Sequence, residues 1–481
     1  HNGDADFIWK SADSQVCGQC HNRGVSTAEE GGMTMGYPWG ADGRFHPGDD
    51  LVDYFDSVDP VNDTSRFWPN GMPKSHRQQF IDWEGTAHSH AAGTIKNLAF
   101  GQDHCMECHS TDYYLAEEAG DPLPTKEEVK WSIECVRCHT PHGTTANDKM
   151  LILPEDETCG QCHTVGDSGP GDSPHHPNVE LVEGTINITG LSGSAWMGGA
   201  VDCSDCHMTL VAKSAILGDI PSHTFGFADP QETIDNGMPN SCTSYCHDGV
   251  NGLLMTDQEA VDNITAWQTD YTTRLAAVGL VVDEAEAALT AAADLGFTQA
   301  EIDAAQADFD EAAYAYHFVE SDASEGAHNN PFQMDILDFA ETTAQSVIDA
   351  LETGEITGVI KDKDGDPLED AEIRDSEGTV RATTNSDGEF SFDYAPGTHS
   401  FDVYYENEDV GDVSGNIPVD VGDVEVDVGG EEAPLDMMWI YLALAVIIIV
   451  VVIIAVVAAS RRRGAPPEEP YEEEEEPPTI E

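Results

Sequence analysis

At 481 residues the chain is long enough for roughly two to four domains, and its 40 % hydrophobic content places it among folded proteins rather than disordered ones. The charge is the outlier, with 91 Asp and Glu against 20 Lys and Arg for a formal net charge of −71. That balance excludes a nucleic-acid partner, because no basic stripe exists to neutralise phosphates.

The acidity runs along the whole chain, and Arg274 is the one fixed positive charge between Lys213 and Lys361. Self-repulsion of this kind is screened within a few ångströms at about molar salt, so the composition reads as adaptation to a salty environment. Plain surface solubility and an acidic host are the alternatives. The numbering starts at His1 rather than Met, and removal of an export leader is expected.

Residues 1–253 are rich in Gly, Pro and His, carry all twelve cysteines and lack sustained periodicity. Loops and short helices around something other than a conventional core are expected. Five segments read C-x-x-C-H: Cys17/Cys20/His21, Cys105/Cys108/His109, Cys135/Cys138/His139, Cys159/Cys162/His163 and Cys203/Cys206/His207. Two thiols one turn apart reach the two vinyl groups of a haem, and the adjoining histidine coordinates its iron, so each element of the motif has a separate task. A sixth segment, "SCTSYCHDG", holds Cys242, Cys246 and His247 with three residues between the cysteines instead of two. An extra residue can bulge between the thiols without moving the Cys–His step, and this segment uses the two remaining cysteines. Six covalently attached haem c groups are therefore expected. A disulfide framework gives no reason for the histidines, and zinc, suggested by the ribbon-like separation of the third and fourth pairs, leaves them equally unexplained.

Thirteen histidines lie outside the motifs, and twelve of them fall in this region or in the helices that follow. That enrichment implies that most irons are closed by a second histidine, a state suited to passing electrons. By position the expected distal ligands are His76, His88, His142, His176, His223 and His328. His46, His90, His104 and His175 are reserves, and His399 belongs to a later domain.

From 254 to 353 the composition shifts to Ala, Asp and Glu. Thr256-Asp-Gln-Glu259 and Thr298-Gln-Ala-Glu301 have capping-box spacing, each opening a helix. Ile302, Ala305, Phe309, Ala312 and Tyr316 share one helical face, and Ile336, Ala340, Ala344, Val347 and Leu351 form another stripe. Residues 354–430 change to period two between Asp-Gly and Pro-Gly turns, which predicts a small β-sandwich. "DKDGD" there reads as a hairpin turn and not as a calcium loop, since Ile373 would stand where a bidentate Glu is needed. Residues 437–459 contain no charge and can span about 30 Å of hydrocarbon as a helix. Arg461, Arg462 and Arg463 follow, which places the 460–481 tail in the cytoplasm and the N-terminal domains outside the membrane. The tail is too acidic and proline-rich to fold. Sequons at Asn62, Asn187 and Asn263 are compatible with surface glycosylation.

The ordered series "IDWEGTAHSHA", "CVRCHTPHG", "CGQCH", "HHPNVELVEG", "VDCSDCHM", "SHTF", "NGMPNSC" and "VESDASEGAHNNPFQMDIL" resembles the multihaem cytochrome c group containing ammonia-forming nitrite reductase and hydroxylamine oxidoreductase. The likeness covers about residues 75–350. It implies distal roles for His88 or His90, His142, His176, His223 and His328. The first site, with "CHNRG" and "SHRQQF", is similar to an added N-terminal haem of related electron-transfer cytochromes. "GVIKDKDGDPLEDAEI" and "TTNSDGEFSFDYAPGTHSFDVYY" resemble carboxypeptidase regulatory-like, immunoglobulin-like modules. The nitrite reductases carry a C-x-x-C-K motif at their open haem, whereas every site here ends in histidine.

The expected fold is thus mainly α with extensive loops around covalent haems, plus a small all-β sandwich and one C-terminal transmembrane helix. The expected function is a membrane-anchored, extracytoplasmic electron carrier with no catalytic residue of its own. Its partners would be the membrane, a membrane oxidoreductase, other cytochromes or extracellular acceptors. The alternatives are an oxidoreductase acting on nitrite, hydroxylamine or a sulfur oxyanion at one open haem, and a homo-oligomeric surface filament subunit.

Overall fold

In the computed structural model, residues 13–428 are described apart from 31–32, 35–37, 41–42, 142–146, 211, 215–217 and 251–252. The expected ligand His142, the apolar stretch 437–459 and the tail 460–481 lie outside the described residues. No helix among the described residues is long and apolar enough to cross a membrane.

The chain divides into two compact units. The first comprises His1–Gly169, Ser173–Ala276 and His317–Leu337, and the second Pro170–Asp172, Ala277–Tyr316 and Asp338–Glu481. Three long helices, α1 (Asp257–Ala292), α2 (Gln299–Ser321) and α3 (Asn330–Ala350), contribute to both.

The first unit is otherwise built from short helices joined by loops. Those before α1 run to eleven residues at most, the length of Ala87–Asn97. Local chemistry stops them early. Gly120 and Gly184 end Thr111–Ala119 and Asn178–Glu183 in the left-handed conformation that a side chain resists, with φ of 68° and 76°. Before α1 three small groups of buried apolar residues stand out, with Phe67, Ile81, Leu181 and Ile188 buried outside them: Phe45, Leu51, Phe55, Phe80 and Trp83; Ala92, Ile95, Met106, Tyr113 and Val129; and Met72, Ala228 and Met238. Such scattered patches replace a single continuous core.

The two predicted capping boxes are present. Glu259 Oε2 accepts from the Thr256 amide at 2.8 Å while Thr256 Oγ1 accepts from the Glu259 amide at 3.2 Å, and Thr298 and Glu301 repeat the exchange. On α2, Ala305 and Ala312 are buried with Ile302, Phe309 and Tyr316 half-buried beside them, and the five stripe residues of α3 through Leu351 are buried.

In the second unit seven strands follow: β1 (Gly354–Asp362), β2 (Glu372–Arg374), β3 (Val380–Thr383), β4 (Glu389–Tyr394), β5 (Gly397–Tyr405), β6 (Glu408–Ile417) and β7 (Val419–Val426). They form a four-stranded sheet ordered β3-β2-β5-β6 and a three-stranded sheet ordered β4-β1-β7, in which β7 runs parallel to β1. Alternating residues of both sheets meet in one core, including Ile356, Ile360, Ile373, Phe392, Phe401, Val403, Val413 and Val424. Asp362 Oδ1 accepts from the amides of Asp364 and Asp366, so "DKDGD" closes a turn. Tyr394 lies against Gly296 at the end of the α1–α2 turn, where a Cβ would come within 2.3 Å of its ring, and the Ala395 amide donates to the Leu295 carbonyl at 2.7 Å.

Candidate metal centre

Five motifs sit on one-turn helices or tight turns that set two cysteines and a histidine on one side. In the third and fourth, the histidine amide donates to the carbonyl of the first cysteine: His139 to Cys135 at 2.9 Å and His163 to Cys159 at 3.1 Å. The sixth segment absorbs its extra residue in the same place. The His247 amide donates to the Cys242 carbonyl at 2.8 Å, one residue further round, so the turn widens while its histidine keeps its tie to the first cysteine. Asn240 starts this wide turn, its Oδ1 accepting from the amides of Cys242 and Thr243 at 2.8 and 2.7 Å. The Tyr245 hydroxyl secures the middle by donating to the Leu210 carbonyl.

The motif histidines share a second feature. Nδ1 of His139 faces the Lys149 carbonyl at 3.1 Å, and that of His207 faces the Phe225 carbonyl at 3.0 Å. His163 Nδ1 meets Asn178 Oδ1 at 3.1 Å and His247 Nδ1 meets the Leu253 carbonyl at 3.2 Å. An oxygen of this kind only accepts, so Nδ1 carries the proton and Nε2 is left with a free lone pair, as in metal-ligating histidines generally.

Beyond Nε2, four motif histidines meet a second imidazole. Ring centroids are 6.1 Å apart for His163 and His88, 6.2 Å for His139 and His223, and 5.8 Å for His207 and His328. His109 lies 6.3 Å from both His175 and His176. Two imidazoles closing one metal ion from opposite sides, each nitrogen about 2 Å from it, hold their centroids about 6 Å apart. The spacing therefore fits a bis-histidine iron. Burial, followed by the fields of neighbouring imidazoles, pushes His88, His176 and His223 down to about 4, which keeps them neutral and able to ligate. For His328 burial acts the same way, but the Asp322 carboxylate, 2.7 Å from its Nδ1, outweighs it and raises the ring.

Four expected distal ligands, His88, His176, His223 and His328, thus face motif histidines. The reserve His175 stands beside His176, since the doublet presents both rings to His109. His76 is placed differently: both its ring nitrogens lie 3.2–3.3 Å from Arg23 Nη2, and no ring contact joins it to a motif histidine among the described residues. His46 is exposed beside Asp49. No second imidazole faces His21 or His247 within ring-contact distance among the described residues. Sequence reasoning missed the residues that orient the rings. Asn178 Oδ1 receives His163, while its Nδ2 donates at 2.8 Å to Asp322 Oδ1, which in turn receives His328. This bridge joins two rings that belong to different sites, and the carbonyl acceptors elsewhere have no side-chain signature at all.

All twelve cysteines are free. Thiols of different motifs nevertheless meet, Cys17 with Cys135, Cys108 with Cys162, and Cys159 with Cys203. Among the described residues the one grouping able to share an ion is His109, His175 and His176, so the zinc-ribbon spacing of the third and fourth pairs does not bring four thiols together.

Residues 127–167 match the model of a doubled CXXCH motif, and residues 175–379 match the cytochrome c552 family. The chain is a multihaem c-type cytochrome. The cytochrome resembles the crystal structure of the outer cell wall cytochrome OcwA, with 32 % identity, a TM-score of 0.59 and coverage of 69 % of the present chain and 65 % of that one. It therefore spans slightly less than two thirds of OcwA. An undecahaem cytochrome from the S-layer of Carboxydothermus ferrireducens is 24 % identical, over 54 % of the cytochrome and 40 % of that chain, with a TM-score of 0.40. Cytochrome c nitrite reductase from Desulfovibrio desulfuricans is 16 % identical, over 56 % and 74 % respectively, with a TM-score of 0.39. No curated protein matches the cytochrome.

Proposed function

We propose that this cytochrome is an extracytoplasmic, membrane-anchored hexahaem electron relay between a membrane oxidoreductase and extracellular acceptors or partner cytochromes. The observation that carries the reading is the set of four motif histidines, each with a second imidazole at about one metal-ligation distance, an arrangement without room for a substrate on the iron. Bound haem supplies reversible one-electron chemistry. The chain holds it through Cys17, Cys20, Cys105, Cys108, Cys135, Cys138, Cys159, Cys162, Cys203, Cys206, Cys242 and Cys246, with His21, His109, His139, His163, His207 and His247 as proximal ligands. His88 closes the fourth site, His223 the third, His328 the fifth and the His175–His176 doublet the second, while His76 and His142 remain the candidates for the others.

Contacts between motifs support an order for the sites along the relay. The first meets the third through Cys17 and Cys135, and the third meets the fourth through Arg137 and Gln161 at 2.6 Å. The fourth meets the fifth through Cys159 and Cys203, and the fifth meets the sixth through Ser241 Oγ and the Cys206 carbonyl at 3.0 Å. The second joins at the fourth, where Cys108 lies against Cys162 and the Gln161 carbonyl. The result is a line with one branch, suited to collecting and delivering electrons at different ends. OcwA is an outer cell wall cytochrome, which agrees with an extracytoplasmic place here. In this reading 1–253 is the haem domain, 254–353 its helical companion, 354–430 a regulatory-like, immunoglobulin-like spacer and 437–459 the anchor.

A haem-to-protein ratio by pyridine haemochrome tests the count, with six expected for the parent and five for the Cys242→Ser/Cys246→Ser double variant. A parent ratio of five would remove the sixth site. A second reading, an oxidoreductase with one open iron, is favoured by His21 and His247, which no second imidazole faces among the described residues. High-spin ferric signal and carbon monoxide binding would establish it, and six low-spin haems would dismiss it.

A further inference from the structure

Arg137 lies inside the third motif, and it is the one Lys or Arg that is buried among the described residues, at 6 % exposure. Its direct partners are neutral. Nη1 donates to Gln161 Oε1 at 2.6 Å, Nη2 lies 3.7 Å from Cys162 Sγ, and the guanidinium stacks 4.2 Å over the Tyr114 ring. Nε has no partner, and no carboxylate pairs with the group among the described residues. In a chain of net charge −71, ion-pair partners are abundant, so a buried and unpaired guanidinium has been kept away from them. Its position is also specific. The field of Arg137 reaches Cys108 of the second motif, Cys138 of its own and Cys162 of the fourth, the three motifs that meet where the branch joins the line, and the Glu107 carboxylate acts against it at Cys108 and Cys162.

We propose that Arg137 is a potential-setting residue, a fixed cation that holds the second, third and fourth sites at higher reduction potential than the first, fifth and sixth. This rests on the haem reading above. A site that gains an electron gains one negative charge, and a nearby buried cation favours the reduced state, strongly so in a medium of low dielectric. Tyr114 and Gln161 act as positioning residues: they satisfy part of the fork without neutralising it. The three sites around Arg137 then form a central reservoir that fills before the ends of the line do.

The test is a spectroelectrochemical titration of the full-length holoprotein, followed at the haem absorption bands, for the parent, Arg137→Gln and Arg137→Lys. With Arg137→Gln the most positive components move to more negative potential and the most negative components stay. Arg137→Lys keeps the charge and tracks the parent. A second variant, Gln161→Glu, leaves the arginine in place and sets a carboxylate against it, and the same negative shift is expected even where loss of the guanidinium impairs folding. Superimposable titrations for Arg137→Gln and Gln161→Glu at full haem loading would overturn the proposal, as would an equal shift in Arg137→Lys. The haemochrome ratio of the parent separates this outcome from failure of the haem reading, because a parent without six haems rejects the latter whatever the variants do.

Discussion

The cysteine-rich region and the β module solve the problem of stability in opposite ways. In the β module, fourteen buried residues from both sheets form one cluster within 356–426. Before α1, a stretch about three times as long gathers clusters of five, five and three. Hydrophobic stabilisation scales with apolar area removed from water, at about 25 cal/mol per Å², so the β module carries its own driving force and the other region does not. On the proposed function haem faces take the place of side chains there, and the chain supplies thiols, imidazoles and short turns to hold them.

The largest expected effect follows directly. If the chain is exported without cytochrome c maturation, the region before α1 loses its fold, as small metal domains do without metal. Limited proteolysis of that material should digest the first 250 or so residues and leave a resistant fragment that contains the β module from Gly354 onward. A resistant N-terminal region would break the contrast between the two parts.

The converse variant is Phe401→Ala, which removes a ring that is 1 % exposed in the centre of the sandwich. A loss of about 3–5 kcal/mol is expected in chemical denaturation, with the haem spectrum unchanged. A smaller effect belongs to Asp375. Its carboxylate accepts from the Glu377 and Thr379 amides at 2.9 Å each and from Arg381 Nε at 2.7 Å. Burial pushes this carboxyl up, but the amides and the guanidinium outweigh it and hold it below the usual carboxylate range. A group lowered on folding contributes stability above its unfolded pKa and loses it as pH falls through the folded value. Asp375→Asn should therefore cost about 2 kcal/mol near pH 7 and progressively less as the pH falls below about 4.

The smallest effect on stability, and the sharpest on the cofactor side, concerns the doublet. His175→Ala or His176→Ala alone should leave every haem low-spin, because either ring stands 6.3 Å from His109. The double variant should convert one site to high spin in the electron paramagnetic resonance spectrum. High spin in both single variants would mean that the two rings are not interchangeable.

Much of this was legible from residue order. The motifs, the two capping boxes, the α3 stripe and the period-two strands all depend on neighbours within a few positions, and local geometry fixes what such neighbours can do. His88, His176, His223 and His328 were readable as candidate ligands, because histidine is scarce elsewhere in the chain, and each stands about 6 Å from a motif histidine. Partnership was not readable. That His88 faces the fourth motif, that His223 faces the third and that His76 sits against Arg23 depend on loops of many residues closing in space, for which sequence spacing gives no rule.

The sequence by itself determined the chemistry: the C-x-x-C-H motifs state which group is held and how, since covalent attachment needs residues side by side. Tertiary structure alone decided the relations between sites. It set the second motif against the fourth, linked His163 to His328 through Asn178 and Asp322, and buried Arg137, the one buried Lys or Arg among the described residues, against the fourth motif. Those relations depend on contacts such as Arg137–Gln161, 24 positions apart, and Asn178–Asp322, 144 apart, each set by how many short turns pack together and not by any one of them.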